Sequence, residues 1–131
     1  MPVNCGHVYC LYWPPAAKDK LLVPAYVLPD DRVRFFVINS ELTPFQKARP
    51  EVLKHVLPIQ KGLNQAFLTH DSWLCCHEVV AGFTRQQIDS AVGAYRGPLD
   101  VATQAGVKAI VEVSRLHSDR EKGLFLAQWP Q

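Results

Sequence analysis

The chain has little of what marks membrane-spanning, disordered or disulfide-built proteins. It contains no run of the roughly 18 apolar residues needed to cross a bilayer as a helix, so no membrane span is expected. Its net charge is only +2, from 14 Lys and Arg against 12 Asp and Glu. That is too small to attract nucleic acid by bulk electrostatics, though it leaves room for a local basic patch. The charged fraction of 20% and hydrophobic fraction of 48% exclude disordered and collagen-like classes. The opening Met1-Pro2-Val3-Asn4-Cys5 has no basic segment followed by an apolar run, so no secretory leader is expected. With 4 cysteines in such a chain, reduced thiols and a cytoplasmic location are the expectation. A length of 131 residues suits one domain spanning 1–131.

What is present reads first as strands. Val8 to Trp13 is aromatic-rich and stops at Pro14-Pro15. Lys20 to Leu28 is apolar on both parities, as in a strand buried on two faces, while Pro24 predicts an edge or a bulge. Asp30-Asp31 marks a turn, and Arg32 to Ile38 is the clearest strand, closed by Asn39-Ser40. A period of two puts Arg32, Arg34, Phe36 and Ile38 on one face and Val33, Phe35 and Val37 on the other, expected to be the core face. Val52 to Ile59 and Ser72 to Val80 are further strands, with a turn at Gly62 between them.

Helical signals are fewer. Thr43-Pro44-Phe45-Gln46 and Thr84-Arg85-Gln86-Gln87 match the capping box, each opening a short helix. Asp100 to His117 reads as the longest helix, capped by Asp100, with Gln104, Lys108, Glu112 and Arg115 as its polar stripe. Ala102, Ala109, Ile110, Val113 and Leu116, widened by Val107 and Val111, are its expected buried side. The tail Leu124 to Trp129 reads as a last strand or a partner-binding segment; core packing is the ordinary role of a tryptophan, Trp129 is the one most expected at the surface, and dimerisation and docking within the chain are equally open to the tail. Consecutive strands followed by a helix predict an α+β, mainly β domain: a small, strongly bent antiparallel barrel with a C-terminal amphipathic helix.

Three stretches carry a likeness of layout between about His7 and His117. Phe35-Phe36-Val37-Ile38-Asn39-Ser40 is a hydrophobic strand ending in serine and a loop. Val56-Leu57-Pro58-Ile59 is a later strand with a proline, and Gly93 through Gly97-Pro98-Leu99-Asp100 leads into the amphipathic helix. Together they resemble the PemK/MazF-like toxin family, whose members are small Src-homology-3-like barrels with a C-terminal helix. The resemblance implies a metal-independent endoribonuclease of a toxin–antitoxin system, without cofactor, with RNA and a cognate antitoxin or other protein as partners and a homodimer as assembly. The family uses an arginine near its first loop and a threonine or serine just after the proline-containing strand. This chain lacks the Arg-Pro start of the first strand, so Arg34 is an approximate substitute, and Gln60-Lys61 follows Ile59 without a hydroxyl.

RNA cleavage without metal requires a base for the 2′-hydroxyl proton and a cation for the phosphorane. Histidine suits the first role because it titrates near neutrality, which makes His55, His70 and His77 candidates. Arg34 and Arg49 are the candidate electrostatic partners. His55 and His77 with Arg34 form the expected catalytic set, and Arg32, Lys47, Arg49 and Lys54 the nucleic-acid-binding set, beside aromatics such as Phe36, Tyr26 or Trp73. His70-Asp71-Ser72 holds the side chains of a hydrolase triad, but strand alternation turns Asp71 away from His70, so a polar turn is expected. Cys75-Cys76-His77-Glu78, with Cys5, His7 and Cys10, does not match a structural zinc spacing, and buried thiols are the commoner reading. The alternative for the whole chain is a non-catalytic small-barrel module that binds protein or nucleic acid.

Overall fold

The computed structural model describes residues 3–64 and 67–131. Met1 and Pro2, part of the leader reading, lie outside them. The elements run β1 (His7–Trp13), β2 (Lys18–Val27), β3 (Arg32–Asn39), α1 (Pro44–Lys47), α2 (Pro50–Leu53), β4 (Val56–Ile59), β5 (Ser72–Thr84), α3 (Arg85–Asp89), β6 (Tyr95–Pro98), α4 (Val101–Glu112) and α5 (Asp119–Gln128). The domain is mostly β: six antiparallel strands in the order β4-β5-β3-β2-β1-β6 form a curled half-barrel with helices against it. Among the described residues no helix is long and apolar enough to cross a membrane.

The long strand β5 bends through register shifts opposite β3, between Val33 and Phe35 and again between Phe35 and Val37. Such bulges tighten the twist and let one sheet curl over its own core. Pro24 sits in an inner strand, paired to Phe35 of β3, and the ladder shifts between Pro24 and Tyr26. The bulge, rather than an edge position, accommodates its missing N–H.

β3 is buried on both faces, so its two parities serve two cores. Val33 and Phe35 join Tyr9, Leu11, Leu22 and Ile88 on one side. Phe36 and Ile38 join Val23, Leu74 and the two C-terminal helices on the other. Val33, Phe35 and Val37 are thus only half of the answer. Phe36 lies within 6.0 Å of both Phe125 and Trp129, whose own rings stack at 4.9 Å. Trp129 is 2% exposed and donates its indole N–H to the Gln104 carbonyl at 2.9 Å. Of the outcomes open to the tail, docking within the chain is the one found; it docks as a helix rather than a strand, and Trp129 is buried rather than at the surface. Phe125 and Trp129 are spaced four apart, which places both on the inner side of α5.

The C-terminal helical region is two helices, not one running to His117. α4 stops at Glu112, and Ser118 starts α5 with a reciprocal capping box, its hydroxyl accepting from the Glu121 N–H and the Glu121 carboxylate accepting from the Ser118 N–H. The buried face of α4 is Val107 and Val111; Val113 is 79% exposed and Leu116 43%. The expected stripe was misplaced within the helix as well as beyond it: Ala102 and Ala109 are exposed while Gln104 and Lys108 are half-buried, Gln104 donating to the Gly6 carbonyl, and Val113 and Leu116 follow the helix end. The predicted capping boxes at Thr43 and Thr84 and the Asp100 cap are all formed. Val52 belongs to α2, so the strand read from Val52 begins at Val56. Gly6 adopts φ +81° where a Cβ would stand 2.7 Å from the Pro130 ring, so the C-terminus closes directly over the start of β1.

Candidate functional site

The fold scatters the candidate residues: Arg32 and Arg34 line one cavity, His55 and Lys54 a second, and His70, His77, Lys47 and Arg49 neither. A cavity of about 400 Å³ is lined by Tyr26 of β2, Asp30, Arg32 and Arg34 of the β2–β3 turn and β3, and Arg120 and Glu121 of α5. A second, about 370 Å³, is lined by Glu51, Lys54, His55, Ser114 and Arg115. Neither histidine of the expected catalytic set lines the cavity that Arg34 lines.

In the first cavity the arginines differ in their ties. Arg32 is paired with Asp30 at 2.7 Å, and its own N–H together with that pairing holds the Asp30 carboxyl below its ordinary range. The Arg34 side chain makes no hydrogen bond among the described residues, and its Nη1 is buried without a partner. A buried donor left unpaired costs roughly 1–3 kcal/mol, so this guanidinium is held at a site that does not satisfy it. Arg120 is exposed at the start of α5 and has no ion pair among the described residues.

Opposite them, Glu121 uses Oε1 to accept the Ser118 N–H at 2.9 Å. Its Oε2 receives the Tyr26 hydroxyl at 3.5 Å and lies 4.0 Å from His117 Nδ1. Burial pushes the Glu121 carboxyl up, but the Ser118 amide and hydroxyl, His117 and Tyr26 outweigh it and hold it below the usual range. Burial and Glu121 push the Tyr26 phenol up to about 12, against the opposing pull of Arg34 and Arg120. The cavity therefore contains an ionised carboxylate, a protonated phenol and unpaired guanidinium groups within one wall.

The histidines are built into the frame. His55 is 4% exposed; its Nδ1 must donate to the Glu51 carbonyl at 2.7 Å, leaving Nε2 of the neutral ring to accept from the Ser114 hydroxyl at 2.6 Å. Ser114 Oγ also accepts the Leu116 N–H at 3.0 Å, so the three groups form a latch between α2 and the end of α4. His117 Nε2 donates to the Cys76 carbonyl at 2.6 Å, and its ring lies 6.0 Å from that of His55. His77 has a buried Nδ1 without a partner and an Nε2 3.7 Å from Glu78. Burial lowers its pKa, Glu78 pushes back, and His55 and His117 lower it further.

The remaining cations lie on the β3–β4 connection. Arg49 sits 4.0 Å over the ring of Phe45, which is 58% exposed, while Lys54 pairs with Glu51 at 3.0 Å and Lys47 is exposed. Phe45 is the exposed aromatic beside a cation; Phe36, expected there, is a core residue at 1%, and Tyr26 is 3% exposed, its ring in the core and its hydroxyl on Glu121 at the wall of the first cavity. The His70 segment is a turn: Asp71 accepts the Lys61 N–H at 2.8 Å and Ser72 donates to the His70 carbonyl at 3.2 Å. Cys75 accepts from Asn39 and Gln46, and burial pushes the Cys5 and Cys76 thiols up, Cys5 to about 11.

Sequence reasoning missed Glu121, Arg120, Ser114 and Arg115. The Ser118-x-x-Glu121 capping box was a legible signal for the α5 start, but nothing local indicated that Glu121 would face Arg34 and Tyr26. No known family model matches the chain, and a search of curated proteins finds no significant match.

Proposed function

We propose that this chain is a PemK/MazF-like, Src-homology-3-like small-barrel protein that acts on RNA as a toxin-type, metal-independent endoribonuclease in the cytoplasm. The observation that carries the reading is Arg34: a guanidinium without a protein partner, lining a cavity with Arg32 and Arg120. A phosphodiester oxygen in the cavity can pair with the part of the guanidinium that lines it, and a guanidinium beside the scissile phosphate stabilises the charge of a phosphorane. Arg49 over Phe45, with Lys47, offers a second contact strip for a single strand, where bases stack and phosphates pair. A cognate antitoxin and a second copy of the chain are the protein partners proposed with this reading.

One observation favours the second reading, a non-catalytic module. Both ring nitrogens of His55 are engaged by protein groups and the side chain is buried, so it offers no free base to a substrate. Incubating the full chain with single-stranded RNA in excess EDTA separates the two. Cleavage that disappears in R34M supports the enzyme; retention of RNA without cleavage, and no growth arrest on induced expression, assigns the module.

A further inference from the structure

Resting on the endoribonuclease reading, we infer that the general base is Glu121 and the general acid Tyr26, with Arg34 and Arg120 holding the scissile phosphate between them. The argument is geometric. Of the carboxylates around the cavity, Asp30 is committed to Arg32, whereas only one Glu121 oxygen serves the α5 cap. The other faces Tyr26, and the Glu121 side chain is 34% exposed, against 4% for His117 behind it. His55 borders the other cavity and is closed off by Ser114. A volume of about 400 Å³ falls within the range of small-ligand sites and has room for a ribose and its phosphate.

The step balances within these residues. Glu121 Oε2 takes the 2′-hydroxyl proton as the 2′-oxygen bonds to phosphorus, and Arg34 and Arg120 stabilise the phosphorane. The bond from phosphorus to the 5′-oxygen breaks, and Tyr26 gives that oxygen its proton, leaving a 2′,3′-cyclic phosphate and a 5′-hydroxyl. Tyr26 is then reprotonated by Glu121 across their 3.5 Å contact, returning both groups to their starting states. A phenol held at about 12 stays protonated at neutrality and is a better acid than water for an alkoxide leaving group. His117, with Nε2 donating to the Cys76 carbonyl, closes the cavity behind Glu121, its Nδ1 4.0 Å from Oε2.

Glu121 is faced by Tyr26 from β2, Arg34 and Arg32 from β3, Asp30 from the turn, His117 from the preceding loop and Arg120 on its own helix. The test uses the full chain, a mixed-sequence RNA oligonucleotide in EDTA under single turnover, and the all-deoxy oligonucleotide as an uncleavable binding probe. Glu121→Gln keeps an oxygen for the Ser118 cap but removes the base, so cleavage should fall about 10²–10⁴-fold while binding of the deoxy probe stays within about threefold. Tyr26→Phe should lose at least about tenfold, and wild-type products should end in a 2′,3′-cyclic phosphate. If E121Q does not fold, the wild-type pH profile decides. A carboxylate base held below its ordinary 4.5 leaves the rate flat from about pH 7 down to about pH 5, whereas a histidine base such as His77, which burial holds below its ordinary 6.5, bends it within that interval. E121Q cleaving at close to the wild-type rate, or a limb between about pH 5 and pH 7, overturns the Glu121 assignment and leaves the endoribonuclease standing. Wild-type protein that leaves RNA intact overturns both.

Discussion

Replacing Arg34 by methionine removes the guanidinium while keeping a stem of similar length, and the consequences for stability and for binding should have opposite signs. In the folded protein Nη1 is buried without an acceptor. Removing an unsatisfied buried donor recovers part of a penalty of roughly 1–3 kcal/mol, whereas in water the same group is fully solvated. Against that stands only the weak, solvent-screened attraction of Arg34 to Asp30, which is exposed and already paired with Arg32. The net expectation is a gain of about 0.5–2 kcal/mol, read as a rise in urea midpoint at unchanged slope. RNA retention on a filter, in contrast, should weaken at least about tenfold, since one charge-assisted contact to phosphate is lost. This is the exchange of stability for function expected where a polar group is held for a ligand rather than for the fold. An R34M protein destabilised by more than about 1 kcal/mol, with RNA retention unchanged, would show that the guanidinium serves the protein itself and would refute the reasoning.

Other perturbations address the frame. Trp129→Ala empties the centre of the Phe36–Phe125–Trp129 cluster and removes the indole hydrogen bond to the Gln104 carbonyl, and should cost about 3–5 kcal/mol in denaturant unfolding; a cost below about 1 kcal/mol would mean that α5 contributes little to the core. Ser114→Ala leaves His55 Nε2 buried and unpaired and should cost about 1–3 kcal/mol, with cleavage per folded molecule unchanged; a selective loss of rate would return His55 to the catalytic set. The His77 pKa lies below its ordinary 6.5, so below that pH the unfolded chain binds a proton that the folded protein does not. Stability should therefore decline as pH falls from 6.5 toward the folded value, and His77→Gln should flatten that part of a plot of Tm against pH; an unaltered slope would place the effect elsewhere. Gly6→Ala combines positive φ with a collision at Pro130 and should lower Tm by several degrees, about 1–3 kcal/mol, without altering cleavage by folded protein.

Much of the secondary structure was legible because its causes are local. A run such as Arg32 to Ile38 extends through its β-branched and aromatic residues, and Thr43, Thr84 and Asp100 start helices by hydrogen bonds that span only three residues. Where reading failed, two local signals competed or a partner was needed. The apolar run Leu124 to Leu126 suggested a strand, while the Ser118 capping box and the four-residue spacing of Phe125 and Trp129 made it helix α5. A strand's own alternation separates its two faces but does not say whether a second layer covers one of them. Both faces of β3 became core because α4 and α5 close one side, and Ile88 of α3 with Ala91 and Ala94 after it helps close the other.

By itself, then, the amino-acid order determined that this is a chiefly antiparallel protein with short capped helices, since propensity, capping and turn chemistry act between near neighbours. Only the tertiary structure decided that Tyr26, Arg34 and Glu121 meet while His55 is turned into the frame. Those placements arise from how β2, β3 and α5 pack against one another, and packing distances between segments far apart in the chain leave no periodic trace along it.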